Sequence, residues 1–231
     1  MINPPWKVNL APPRPCPYLE GRKFTQEYFF ARGMGSDLWG ELLNQGWRRF
    51  GEFFFRPHCQ DCQACTPLRL KAPVLELSKS LKKVWKKNQD LEFKREPLQP
   101  SEEIFELYQN HSKTRFGEDT DYEHFMEMFF HPGVPAFMTT YRLEGKLIAL
   151  GFLDESDQGL SSVYFIYGDS YQSRSLGTYS VLRECALVKE MGLAYYYLGY
   201  WVPGNSRMEY KHRFRPRELY KWNENLWCEE F

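Results

Sequence analysis

Three cysteines stand at two-residue intervals in Arg56-Pro-His-Cys-Gln-Asp-Cys-Gln-Ala-Cys65, and a fourth, Cys16, lies upstream in a proline-rich arm. Thiols at this spacing converge when the backbone turns between them. In a reducing compartment the pattern reads as metal ligation rather than as disulfides. Cys16 is the natural fourth ligand to Cys59, Cys62 and Cys65, with His58 second. Thiolates suit tetrahedral zinc, and the same spacing serves a [4Fe–4S] cluster; both stay open. The bland alternative is three small buried loop residues. Cys185 and Cys228 stand alone and read as small core hydrophobes.

Two further segments point to an anion. In Ser78-Lys-Ser-Leu-Lys-Lys-Val-Trp-Lys-Lys-Asn88, the residues Lys79, Lys82, Lys83, Lys86 and Lys87 fall on one helical face, leaving Leu81, Val84 and Trp85 to bury. A solvated helix would interleave Glu for i,i+4 support, and this one carries none, so a polyanion such as RNA is favoured over water. Downstream, Arg174-Ser-Leu-Gly-Thr178 follows a strand and opens a helix. Helix N-termini offer free N–H groups to anions, and Gly177 would let a ligand approach. The turn resembles the Arg-x-x-Gly-x-Gly turn of acyl-CoA N-acyltransferases, with Tyr179 where the second glycine would stand. Architecture alone would also produce it.

The elements that must hold these groups can be read from pattern. Phe24 to Phe30 is a strand, Ser36 caps a helix from Asp37 to Gln45, and Trp47 to Arg56 is a strand pair bent at Gly51. An extended stretch runs from Leu68 to Leu77, a helix spans Ser78 to Asn88, and Leu91 to Glu96 is a strand. Pro100-Ser101 opens a helix to about Lys113, and Thr120-Asp-Tyr-Glu123 matches a capping box. Two strands, Ala136 to Leu143 and Lys146 to Asp154, flank the hairpin signal Glu144-Gly145. A third strand runs from Leu160 to Tyr167. An amphipathic helix from Gly177 to Met191 then leads into a buried strand from Tyr195 to Leu198, so the last two strands must be parallel. The expected division is a Cys-rich part over 1–96 and an α/β part over 97–231.

Composition narrows the class. The 231 residues balance 30 Lys plus Arg against 30 Asp plus Glu, so nucleic acid would be met by a local patch rather than by the whole surface. Aromatics at 17% exclude a disordered chain. No apolar run approaches the roughly 18 residues of a membrane span, and the N-terminal arm lacks the apolar stretch of a signal peptide. A cytoplasmic protein with reduced thiols is expected.

Taken together, Cys16-Pro-Tyr-Leu19, Gly46-Trp-Arg-Arg-Phe-Gly51, the cysteine knuckle, Ser78-Lys-Ser80, Ser175-Leu-Gly-Thr178, Tyr197-Leu-Gly-Tyr200 and Met208-Glu-Tyr-Lys-His-Arg-Phe214 resemble the tRNA-dependent aminoacyl–protein transferases. These are the bacterial aspartate/glutamate leucyltransferases and the related arginyl-tRNA–protein transferases. The likeness runs from about Cys16 to Trp222. It implies an α+β fold with an acyl-CoA N-acyltransferase-like C-terminal half and a small Cys-rich N-terminal part. It implies transfer of an amino acid from aminoacyl-tRNA to an N-terminal Asp or Glu of a protein, marking it for degradation, with no nucleotide cofactor beyond the aminoacyl-tRNA. Two departures stand out: Gly168-Asp169-Ser170 where the family often has Asp-Pro-Asp, and Asn205-Ser206 where it has Cys-Pro. Leucine is expected over arginine because the chain is as short as the bacterial leucyltransferases it resembles.

The amine of the acceptor must lose a proton, and the oxyanion and leaving ribose oxygen need donors. Asp154, at a strand end and matching a family aspartate, is expected to orient or deprotonate the amine. Tyr164 is expected to donate to the oxyanion or leaving group. Tyr210 and Lys211 are expected to hold the terminal adenosine phosphate or the acceptor carboxylate, and Arg115 to grip that carboxylate bidentately. The rival readings are an acetyl-CoA-dependent N-acetyltransferase, against which Tyr179 speaks, and a noncatalytic metal-containing RNA-binding protein, which leaves the acyltransferase-like half idle.

Overall fold

A computed structural model describes residues 4–117 and 119–230; the first three residues of the arm, Glu118 and Phe231 lie outside the described residues. The arm carries β1 (Asn9–Leu10), β2 (Arg14–Pro15) and β3 (Lys23–Phe24). Then follow β4 (Gln26–Phe30), α1 (Ser36–Asn44), β5 (Arg48–Phe50), β6 (Phe53–Pro57), β7 (Thr66–Lys71), α2 (Lys79–Lys87) and β8 (Glu92–Glu96). The second half holds α3 (Glu102–Phe116), α4 (Tyr122–Phe129), β9 (Ala136–Leu143), β10 (Lys146–Glu155), β11 (Gly159–Tyr167), α5 (Leu176–Glu190), β12 (Tyr195–Trp201), β13 (Arg217–Lys221) and β14 (Leu226–Glu230).

Mixed helix and sheet is what the chain forms. Eight strands make one sheet in the order β14-β13-β7-β12-β11-β10-β9-β8, and four make a second in the order β1-β4-β6-β5. Alternation along β10 sets the layers of the large sheet. Phe152 packs under α3 and α4 with Tyr108, Phe125 and Phe129, while Leu153 packs under α5 with Val181, Leu182 and Val188. The small sheet buries Phe29 and Phe54 against Trp39, Leu42 and Trp47. Each of these rings is closed off from water, so truncating one would cost about 3–5 kcal/mol.

The large sheet takes β7 and β8 from before residue 97 and the rest from after it. The expected break there does not separate the sheets. β7 sits between β12 and β13 and binds the N-terminal half into the C-terminal sheet. Local readings shift for identifiable reasons. The stretch after Leu68 stays a strand only to Lys71, where Ala72–Val74 turns as a 3-10 helix with a proline in its first turn. Helix α1 starts at Ser36 with Gly35 as its N-cap, so Ser36 is inside the helix rather than capping it. Helix α3 continues past Lys113 to Phe116, stopped by the left-handed Gly117. Asp121, not Thr120, caps α4, accepting from the His124 N–H. The Glu144-Gly145 turn is as expected, both residues at positive φ, as a two-residue hairpin needs.

Candidate active site

The parallel pair β11–β12 is joined only from Gly159↔Tyr195 to Ser161↔Tyr197, although both strands run on. Past Ser161 they part. A bulge in β11, where Val163 is the extra residue opposite Phe152 and Leu153, and another in β12 between Tyr197 and Tyr200 bend the two strands away from each other. Gly199, at φ +77°, makes the second bulge possible. The wedge between them opens into a cavity of about 460 Å³.

Side chains from outside the two strands take over polar groups that the parting strands leave open. Arg48 of β5 donates to Ser161 Oγ at 2.8 Å and to the Ser162 carbonyl. Lys211, from the 3-10 turn Glu209–Arg213, donates to the Leu198 and Tyr200 carbonyls at 2.8 and 2.7 Å and so pins the bulge at Gly199. Burial, then the neighbouring Arg48, pulls the Lys211 pKa down to about 7.

Five cationic side chains border the cavity, Arg48, Arg49, Arg115, Arg207 and Lys211, and no carboxylate does among the described residues. Arg115, in the last turn of α3, lies over the Tyr167 ring at 4.7 Å; Arg207 lies over Phe116 at 5.4 Å. Both are exposed, and neither carries an ion pair among the described residues. His111 meets the Tyr167 backbone at 3.0 Å, and burial with the nearby Arg115 brings its pKa down to about 4, so it is neutral at neutral pH. Gly177 and Thr178 place the start of α5 at the cavity wall. A Cβ at Gly177 would meet nothing within 4 Å, so that side is open to a ligand. Tyr179 is turned away, its ring buried beside Trp85 at 5.8 Å and tying α5 to α2.

The expected site residues fall into groups. Tyr164, Tyr210, Lys211, Arg115 and Gly177 all border the cavity. Asp154 does not. It is fully buried and ion-paired to Arg49, which does reach the cavity wall. Burial raises its pKa against the pull of Arg49 and Arg48. Its place is behind the site, holding Arg49, and an acceptor amine has no access to it.

Another carboxylate is better placed to take a proton. Glu184 of α5 is 1% exposed and accepts from Thr139 Oγ1 and Tyr141 Oη, each at 3.0 Å, and from the Tyr196 hydroxyl. No cation pairs with it among the described residues, and burial outweighs the three hydroxyl donors to raise its pKa to about 7. Tyr196 borders the cavity beside Ser162, which also borders it and eases the Tyr196 hydroxyl's upward pKa shift. Sequence reading passed over Glu184, although a lone carboxylate on the apolar face of α5 was the available signal. It passed over Arg48, Arg49, His111, Tyr196 and Arg207 as well. For the first two the signal was an arginine pair inside an aromatic strand.

The lysine helix lies beside the start of α5. Asn88, the C-cap of α2, donates to the Arg174 carbonyl at 2.9 Å, Lys87 to the Ser173 carbonyl at 2.6 Å, and Arg174 pairs with Asp90. Lys79, Lys82, Lys83, Lys86 and Lys87 are all exposed.

Cys16, Cys59, Cys62 and Cys65 border a second cavity, of about 380 Å³, with His58. Burial and then the three other thiols push the Cys65 pKa up to about 12, so the four cannot all ionise there without a cation. In donor type and in facing one cavity they fit zinc or an iron–sulfur cluster. Among the described residues no three ligand side chains already stand together at ligating positions. Tyr18, which borders the larger cavity, packs with Cys65 and Tyr200 and so links the two sites.

Residues 14–83 match the family described as arginine-tRNA-protein transferase, N terminus, and residues 101–221 its C-terminal counterpart. The chain is 33% identical over 221 residues to an aspartate/glutamate leucyltransferase of Marinobacter nauticus, covering 92% of this chain and 93% of that one. It is 32% identical to the Chromobacterium violaceum enzyme of the same name, covering 90% and 88%, and 34% identical to that of Brucella melitensis, covering 90% of each. Solved structures that match part of the chain include L-PGS of Bacillus licheniformis (TM-score 0.44, 14% identity, 64% of this chain and 50% of that). Another is a GCN5-related glucosamine N-acetyltransferase region of a fungal β-N-acetylglucosaminidase (TM-score 0.45, 14%, 77% and 21%). On the family matches and on identity across nearly its whole length, this chain belongs to the arginine-tRNA–protein transferase family.

Proposed function

We infer that the protein is an aminoacyl-tRNA–protein transferase that moves leucine from Leu-tRNA to the N-terminal Asp or Glu of acceptor proteins, marking them for degradation in the cytoplasm. The observation that carries this reading is the cavity itself: four arginines and Lys211, no carboxylate among the described residues, and a wall that is otherwise largely aromatic and aliphatic. The cations suit the acceptor's acidic side chain and the phosphates at the tRNA 3′ end. Val163, Val181, Leu198 and Met208 offer leucine an apolar surface. Arginine as donor would bury a guanidinium with no carboxylate to meet it.

The reaction joins the acceptor's α-amine to the ester carbonyl and releases the ribose hydroxyl. The ester is already activated, so holding both partners in one cavity supplies much of the rate. The ammonium proton passes to Ser162, whose own proton moves to Tyr196, and that of Tyr196 to Glu184; the return path reprotonates the leaving ribose oxygen. Tyr164 and Tyr210 face the same space, and burial pushes the Tyr210 pKa up to about 12, keeping it a donor. Arg49, fixed by Asp154, adds positive charge where the oxyanion forms. The lysines of α2 meet tRNA phosphates beside the start of α5. The four cysteines would hold zinc or an iron–sulfur cluster, which would fix the arm, and Tyr18 with it, against the cavity.

The test offers Leu-tRNA, Arg-tRNA or acetyl-CoA with peptides beginning in Asp, Glu, Lys or Arg, and reads the peptide mass. Leucine gained by the Asp and Glu peptides is the expected result. Arginine on the same peptides changes the donor and keeps the mechanism, while an acetyl gain, or no transfer from any charged tRNA, overturns the reading.

A further inference from the structure

The small sheet has two unlike faces. Phe29 and Phe54 point into the core and are fully buried. Their neighbours along the strands point the other way. Phe30 and Phe50 both stand opposite Phe53, and Tyr28 and Arg48 both stand opposite Phe55, so one face carries a ribbon of five rings across β4, β6 and β5. The rings touch in sequence: Phe30 to Phe53 at 5.4 Å, Tyr28 to Phe53 at 5.4 Å, Phe53 to Phe55 at 5.6 Å, and Phe55 stacked on Phe50 at 5.9 Å.

At one end Phe50, Phe55 and Arg48 form part of the cavity wall. At the other, Phe30 is 62% exposed. Cross-strand aromatic pairs stabilise a sheet, but that role calls for packing rather than for an open ring at the outer end. A continuous apolar surface that starts in a polar cavity and runs outward marks a binding surface.

We propose that this face, Tyr28, Phe30, Phe50, Phe53 and Phe55, is the platform on which the unpaired bases at the 3′ end of the tRNA stack while the ester lies in the cavity. The inference rests on the transferase reading above. Continuity argues for this occupant, because the nucleotides next to the ester must lie at the cavity mouth. Constancy argues for it too: every charged tRNA ends in the same unpaired C-C-A, whereas the residues after an acceptor's first differ from protein to protein, so fixed rings suit the nucleic acid. Sheet faces with exposed aromatics on adjacent strands hold single-stranded bases in this manner, since every base offers a π-face.

The experiment uses the full chain and a tRNA acceptor-stem minihelix, uncharged, with or without its unpaired C-C-A, in a fluorescence anisotropy titration. The wild type should bind the C-C-A form more tightly than the blunt form. Phe30→Ala and Phe53→Ala should each weaken binding of the C-C-A form by about 5- to 100-fold, leave the blunt form unchanged, and leave the peptide KM unchanged in the transfer assay. Phe30→Trp should restore binding. Circular dichroism melts of each variant guard against loss of fold, and Phe30 is exposed enough to replace without a cavity. An equal loss for both minihelices, no loss for either, or a rise only in the peptide KM would overturn the proposal, the last outcome giving the face to the acceptor polypeptide. Binding is read without any amino acid, so C-C-A-dependent stacking with no leucine transfer would defeat the transferase reading alone.

Discussion

The hydroxyl of Tyr196 donates to the carboxylate of Glu184, joining a ring at the cavity wall to an acid buried in the core. The folded carboxyl titrates at about 7 against 4.5 in the unfolded chain. If it accepts the amine's proton, kcat/KM should climb as pH rises through about 7, and Glu184→Gln should lower turnover by about 10²-fold and flatten that limb. The same shift acts on stability. The folded state holds a proton that the unfolded state has released, so the contribution is full below pH 4.5 and is lost as pH rises to about 7. The loss is roughly 3 kcal/mol. Urea melts at pH 5 and pH 8 should show it in the wild type and not in Glu184→Gln; identical pH dependence in both would rule out a titrating carboxylate.

Asp154 and Arg49 form a buried ion pair. Asp154→Ala leaves the guanidinium alone in the core and should cost about 3–5 kcal/mol, whereas Arg49→Met with Asp154→Leu should recover most of it. If Asp154→Ala instead melts like the wild type while losing transfer, the aspartate acts on the substrate and not through Arg49.

Arg115 and Arg207 stand at the mouth with no ion pair among the described residues. Replacing either with Ala should raise the KM for an Asp-initiated peptide by about 10-fold or more, the scale of one charge-assisted hydrogen bond. The KM for charged tRNA should hold. Loss of preference for Asp over Asn peptides in the double variant is the sharper readout, and an unchanged preference would place acidic recognition elsewhere.

The lysines of α2 should set the salt dependence of tRNA binding. Removing one lysine that neutralises a phosphate should lessen the slope of log K against log salt by roughly 0.7–0.9. Lys82→Ala with Lys86→Ala should therefore bind more weakly and with a shallower slope. A slope that does not move would remove this helix from the tRNA surface.

Elemental analysis and a visible spectrum of anaerobically purified protein should find one centre per chain, colourless for zinc or brown for iron–sulfur. Cys62→Ser should lose it. Protein that carries neither metal would leave the four thiols a packing cluster.

The sequence by itself determined most of the elements. The apolar stripe from Val181 to Val188 made α5 a helix that must cover a sheet, Glu144-Gly145 closed the β9–β10 hairpin, and the spacing of the five lysines set them on one exposed face of α2. These follow from local periodicity and turn chemistry, which act over a few residues. Tertiary structure alone decided which acid is which. Asp154 at a strand end reads as functional and Glu184 inside an amphipathic helix does not, yet nothing local shows that the first is sealed by a cation and the second is not. Pairing of β5 and β6 into a second sheet carries Arg49 to Asp154 and turns that acid into an anchor. The packing of α5 across β9 and β12 gives Glu184 three hydroxyls and a route to the cavity. The cavity too is a product of long-range pairing. It exists because β7, from the first third of the chain, draws β12 away from β11 past Ser161. Arg48 and Lys211, 163 positions apart in sequence, then donate to the Ser162 carbonyl and to the Leu198 and Tyr200 carbonyls left open. Burial and charge at that place are properties of the assembled surroundings, and no single segment carries them.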